Sequence, residues 1–290
     1  MADKRKIDEA SGLETTGHEW DGISELDRPL PRWWLWTWYA TILYSVIYWV
    51  LMPSWPGVTG YFRGVTGNSE RANVIRDLAE LEAGRSGYIT QLQAANSLQA
   101  IEADPDLLQF AIAAGESAFG DNCATCHGSG AQGAIGYPNL NDDAWIWGGS
   151  LDDIRTTLRY GIRSGHPQAR NNIMPAYGRD GLLQPEQIDD LTQYVLQLSG
   201  READAEAVRR AAPIFAQQCA ACHGPDGAGI RELGGPNLTD AIWLYGGGES
   251  QIRSQIWNAR AGVMPFWEGR LDDWTIDALA VYVHSLGGGE

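Results

Sequence analysis

Two copies of one short pattern constrain this chain more than any other feature: Cys123-Ala-Thr-Cys126-His127 and Cys219-Ala-Ala-Cys222-His223. Cys-x-x-Cys-His is the pattern that attaches a c-type haem. The two thiols add across the vinyl groups, and the histidine that follows sits under the iron as proximal ligand. The x-x spacing fits one helical turn, so both sulfurs and the imidazole face one edge of the porphyrin. All four cysteines of the chain are used this way. A single copy would also suit half a zinc site or a thioredoxin-like dithiol. Zinc needs further Cys or His at ligand spacing, and His18, His166 and His284 are scattered. A thioredoxin motif needs a βαβ context that the pattern lacks.

The motifs belong to a longer internal repeat. Cys123 maps to Cys219, Pro138-Asn139-Leu140 to Pro236-Asn237-Leu238, Trp145 to Trp243, Gly148-Gly149 to Gly246-Gly247 and Met174-Pro175 to Met264-Pro265. The order never changes and the offset drifts only from 98 to 88 after the motif, so one domain has been duplicated with small loop differences. The first copy covers 105–200 and the second 201–290. Apolar spacing predicts helices over 107–122 and 203–218 leading into the motifs, middle helices over 151–161 and 250–261, and closing helices over 185–198 and 272–286. Little reads as strand.

A His-ligated haem needs a sixth ligand. Of four methionines, Met1 is the initiator and Met52 ends an apolar stretch, which leaves Met174 and Met264, one per copy and each before a proline. The proline fixes its own φ and stiffens the loop. A thioether favours ferrous iron, and a filled sixth position suits electron transfer while blocking substrate. Spacing alone pairs Met174 with His127 and Met264 with His223. His166, eight residues before Met174 and without a counterpart, is a surface-loop histidine or a rival ligand; His284, on the last helix, is structural. The carbonyls of Pro138 and Pro236 are placed to accept from the proximal imidazoles. Trp145 and Trp243 pack near the haems or simply fill the core.

No charged side chain occurs between Arg32 and Arg63. Residues 33–52 are long enough to span a bilayer as a helix. Trp33, Trp34, Trp36 and Trp38 crowd one end and Trp49 and Trp55 the other, as in an aromatic belt. A cleaved signal peptide would begin nearer residue 1 and end at small residues. Residues 1–32 are polar and read as mostly extended. Lys4, Arg5, Lys6, Arg28 and Arg32 favour a cytoplasmic N-terminus. Covalent haem attachment places the rest in an oxidising, exported compartment. Residues 53–104 form a linker with polar helix over 70–104, interrupted at Gly84 and Gly87. The formal net charge is −16, which excludes nucleic acid as partner and would attract a basic one, or serves solubility alone.

The run Asp21-Gly22-Ile23-Ser24-Glu25-Leu26-Asp27-Arg28-Pro29-Leu30-Pro31-Arg32-Trp33-Trp34, one membrane helix and two Cys-x-x-Cys-His domains together resemble the FixP/CcoP subunit of cbb3-type cytochrome c oxidases over essentially the whole chain. The resemblance implies an all-α protein with one N-terminal transmembrane helix and two tandem class I-like cytochrome c domains. It implies two covalent haems c with His/Met axial ligands. It places the protein in the bacterial inner membrane as a single-pass subunit with periplasmic haems. Electrons would come from a soluble cytochrome c or the quinol–cytochrome c reductase and pass to a monohaem c subunit and the haem–copper subunit that reduces oxygen. The chain would be an electron-transfer subunit and not itself the oxygen-reducing one. The resemblance also crosses the distal ligands, Met264 to the first haem and Met174 to the second. Two other functions compete: a free-standing membrane-tethered dihaem carrier, and a haem enzyme with an open iron. Both methionines argue against the enzyme.

Overall fold

The computed structural model describes residues 5–288; the first four residues, Lys4 among them, and the last two lie outside the described residues. The chain forms two compact units, divided between Ala83 and Gly84.

The first unit opens with a hairpin, β1 (Thr15–Trp20) and β2 (Ile23–Leu26), where an extended segment was expected. Trp20 pairs with Ile23, so Asp21-Gly22 is a two-residue turn. Both turn residues have positive φ, 49° and 83°. That conformation favours an Asp-Gly pair and matches the twist of the flanking strands. Helix α1 (Arg32–Leu51) follows, over the stretch expected to span a membrane. Among the described residues no helix is long and apolar enough to cross a membrane. The shortfall lies in composition, because five Trp and three Tyr, each with a polar tip, occupy α1 beside Thr37, Thr41 and Ser45. None of its residues is buried. Residues 52–66 fold back on its end: Val65 and Thr66 donate their amides to the carbonyls of Val50 and Leu51, which a helix end leaves open. Helix α2 (Glu70–Ala94) then runs without the interruption expected at Gly84 and Gly87. Each interior glycine costs about 1 kcal/mol against alanine, and the helix formers on either side outweigh it.

The second unit holds α3 (Leu98–Ala103), α4 (Pro105–Asn122), the single turn α5 (Ala124–His127), α6 (Leu151–Tyr160), α7 (Pro185–Leu198), α8 (Ala205–Gln218), the turn α9 (Ala220–His223), α10 (Glu249–Asn258) and α11 (Asp273–Ser285). The six main helices fall within a few residues of the apolar spacing. Asp104 and Asp204 cap α4 and α8 by accepting from two amides each.

The sequence halves are not the packing lobes. Two separate hydrophobic clusters fill this unit. The first joins α4 and α6 to α11, the closing helix of the other half. The second joins α8 and α10 to α7. The closing helices are therefore exchanged. Phe119 of α4 packs its ring on Tyr282 of α11, and Phe215 of α8 packs on Tyr194 of α7, both across the exchange. The segment before each closing helix crosses too: the Tyr177 amide donates to the Ile256 carbonyl, and the Trp267 amide to that of Leu158. Leu92, Leu98 and Ile101, expected in the linker, are buried in the first lobe's core. His284 on α11 meets Glu102 of α3 at 2.8 Å, a structural contact as expected.

The tightest point of the exchange is Gly115 on α4. A Cβ there would overlap the Ala278 carbonyl and the Tyr282 Cβ on α11. Gly115→Leu should force the helices apart and cost about 3 kcal/mol, the upper range for overpacking. Thermal unfolding followed by circular dichroism would read this as a lowered midpoint, and an unchanged midpoint would show that the crossing is looser than described.

Candidate functional site

Each Cys-x-x-Cys-His segment sits at the end of a long helix that bends into one further turn. Cys123 ends α4 and α5 carries Cys126 and His127; Cys219 ends α8 and α9 carries Cys222 and His223. One turn thus keeps both cysteines and the histidine of each motif together at a helix end. The sulfurs are not bridged to one another. Burial, helped by the neighbouring cysteine, pushes the Cys123 and Cys219 thiols up to about 11. Among the described residues no cluster of three or more His, Cys, Asp or Glu is arranged to hold a metal ion.

The two histidines have the expected partners. His127 Nδ1 lies 3.1 Å from the Pro138 carbonyl and His223 Nδ1 lies 3.0 Å from that of Pro236. A carbonyl only accepts, so Nδ1 carries the proton and Nε2 keeps its lone pair for a metal. Burial holds both imidazoles below their ordinary value, and the bond to the carbonyl offsets part of this. Each ring is thus oriented by its carbonyl and biased towards the neutral form that can ligate.

Both motifs open into one cavity of about 1470 Å³. Sites for a single small molecule run from about 300 to 1,000 Å³, so this one has room for more than one such ligand. Met174 and Met264 line it, as do Trp145 and Trp243. Met264 packs against the hydrophobic cluster that contains Cys123, and Met174 against the cluster that includes Cys219. Each methionine therefore stands in the lobe of the other half's histidine. Both motif histidines, all four cysteines and both methionines line this cavity, a donor set whose chemistry fits haem c.

His166 does not line the cavity. Its ring stacks on Tyr160 at 4.9 Å, contacts Phe266 at 5.3 Å, and its Nε2 lies 3.3 Å from Glu268. It fastens the loop between α6 and Met174 to the crossing segment after Met264.

The two lobes meet through equivalent groups. The Gly136 amide donates to Leu244 and its backbone faces the Tyr245 ring; in the counterpart place the Trp147 ring covers Gly234. Arg170 lies over Trp147 and Arg260 over Tyr245, each 5.4 Å from the ring centre. These residues escaped the sequence reading, although the repeat aligns Trp147 with Tyr245 and Arg170 with Arg260. Asn172 was also missed: its side-chain amide donates to the Leu233 carbonyl at 2.6 Å and points at Cys222 Sγ at 3.8 Å.

Comparison with known proteins gives three matches in chain order. Residues 12–59 match the N-terminal domain of cytochrome oxidase-cbb3, FixP. Residues 112–199 match cytochrome c. Residues 206–283 match cytochrome c oxidase, cbb3-type, subunit III. A cbb3-type cytochrome c oxidase subunit FixP from a Bradyrhizobium species is 54% identical over the full length of both chains. A subunit CcoP from Cereibacter sphaeroides is 52% identical over 95% of each. Another CcoP, from an Azospirillum species, is 48% identical over 98% of each.

Proposed function

The chain belongs to the FixP/CcoP family of cbb3-type cytochrome c oxidase subunits, and from that premise we propose that it is the membrane-anchored dihaem electron-transfer subunit of such an oxidase. The observation that carries the reading is the full-length match, with the 12–59 segment included, since paired haem domains alone would equally suit a free carrier.

Haem c, when bound, supplies a one-electron Fe(III)/Fe(II) couple. The protein's own groups do the rest. Cys123 and Cys126 would hold one haem and Cys219 and Cys222 the other. His127 and His223, oriented by Pro138 and Pro236, would offer Nε2 to the irons. Met264 would hold the iron of the first haem and Met174 that of the second, a reading supported by their packing in the opposite lobes. With both thioethers bound, the apolar chamber would keep water and small substrates from the metals. Electrons enter from a soluble cytochrome c or the reductase and leave through the monohaem c subunit to the haem–copper subunit. The acidic surface, net −16, favours a basic donor.

Helix α1 is the anchor in this reading. Its 20 residues at 1.5 Å each reach about 30 Å, the thickness of a bilayer's hydrocarbon core. Its threonine and serine hydroxyls are satisfied internally: Thr37 donates to Trp33, Thr41 to Trp38 and Ser45 to Thr41. A helix facing lipid requires such internal satisfaction. A helix with no charged residue after Arg32 and none of its residues buried has lipid as its natural cover in this reading. The hairpin before it lies in the cytoplasm and the haem lobes in the periplasm of the bacterial inner membrane.

The test is purification of the tagged protein from its native membranes in mild detergent, with haem staining and an oxygen-uptake assay on reduced cytochrome c. The expected result is co-purification of a monohaem c protein and a large b-haem subunit with oxidase activity. A dihaem protein that emerges alone and inactive from several mild detergents would instead support the tethered carrier.

A further inference from the structure

The loop from Ile162 to Ala169 has no equivalent in the second half. The repeat offset is 98 at the start of the middle helices and 90 at the methionines, so the first half carries eight extra residues here. The loop is closed at its base: the Arg163 amide donates to the Arg170 carbonyl at 2.8 Å and the Arg170 amide to that of Gly161 at 3.2 Å. Within it Arg163 adopts φ +52°, a left-handed conformation that a long side chain rarely takes and that needs support from its surroundings.

The Arg163 side chain faces the haem cavity. Its Nε donates to the Gly262 carbonyl at 2.6 Å and its Nη1 to the Asn172 carbonyl at 3.1 Å. Gly262 stands two residues before Met264, and Asn172 stands two residues before Met174. The two acceptors are therefore equivalent positions of the repeat. One guanidinium, contributed by one half only, grips the same point of both methionine segments. Those segments are otherwise held differently. Met264 exchanges both backbone hydrogen bonds with Ile162, each 3.0 Å. The Met174 segment is held through the Asn172 side chain on Leu233. Gly262 is also fixed through its amide, which donates to the Tyr245 hydroxyl at 2.9 Å.

We propose that Arg163 is a positioning residue shared by both haem sites, tying the two methionine segments together so that the distal ligation of one haem depends on that of the other. The planar fork suits this role. Its two donors are fixed relative to each other, so moving one segment drags or releases the second. The inference rests on the reading of Met174 and Met264 as distal ligands.

The test uses the full-length, haem-loaded protein. The readouts are the far-red methionine-to-ferric-iron charge-transfer band, the midpoint potential and the rate of carbon monoxide binding to the reduced protein. Each site is also read alone in Cys219→Ser/Cys222→Ser and in Cys123→Ser/Cys126→Ser. In Arg163→Ala both sites should lose most of their band, both potentials should fall, and both should bind carbon monoxide at least tenfold faster. Arg163→Lys keeps the charge without the fork and should show the same paired loss at smaller amplitude; it is the variant to read should Arg163→Ala yield no folded protein. Loss at one site alone, or at neither, overturns the proposal while leaving the ligands in place. A native protein without the band at either site overturns the ligand reading itself, and the coupling with it.

Discussion

A fragment comprising residues 84–200, the first half with its own motif and its own closing helix, should not fold by itself, and neither should 201–290. The first lobe takes α11 from the second half, and Ile276, Leu279 and Val281 of that helix are completely buried. Burial of each such side chain is worth about 1.5–3 kcal/mol. Losing the set removes an amount on the order of the roughly 5–15 kcal/mol that holds a whole domain together. The fragment's own α7 is a poor substitute for α11. Where α11 has Ala278 against Gly115, α7 has Asp190, which in the intact chain is paired bidentately with Arg210 of α8 at 2.8 and 2.6 Å. The α4 residue equivalent to Arg210 is Ala114, so α7 seated on α4 would carry a carboxylate into the crossing without its cation. Circular dichroism of each fragment should show little cooperative unfolding, and mixing the two should restore it. A fragment 84–200 that unfolds cooperatively by itself would show that the exchange of closing helices is dispensable.

The chemistry was the most legible part of this sequence, because haem attachment demands residues next to each other. The motifs, the proline carbonyls and the helix boundaries follow from local spacing and from a repeat seen twice. Partner choice was not legible in the same way. The repeat puts Tyr194 and Tyr282 at equal positions on α7 and α11, so periodicity shows that each closing helix packs on a first helix but not on which. The discriminating pairs, Asp190 with Arg210 and Ala278 with Gly115, become readable only once the helices are paired. The hairpin is a different case. Asp21-Gly22 carried a turn signal that the low apolar content around it obscured. The bond between His166 and Glu268 joins residues 102 apart, beyond any local pattern. Arg163 had one visible trace, the eight extra residues of its loop, and that trace says nothing about what the side chain reaches. At α1 the absence of charge and the aromatic ends pointed to lipid, whereas the tryptophans and tyrosines that form those ends also lower its mean hydropathy.

The second large effect concerns the methionines. With Cys219→Ser/Cys222→Ser, the protein should carry one covalent haem, on Cys123 and Cys126. In that background Met264 packs against the occupied lobe and Met174 against the other. Loss of a thioether ligand removes its charge-transfer band and lowers the potential, since methionine favours the ferrous state. Met264→Ala should therefore abolish the far-red band of the single remaining haem, whereas Met174→Ala should leave it unchanged. The reverse should hold in Cys123→Ser/Cys126→Ser. This pair of spectra tests most directly the claim that the two halves complete each other's sites. Loss of the band in Met174→Ala with its survival in Met264→Ala, in the protein bearing only the first haem, would contradict it and return each methionine to its own half.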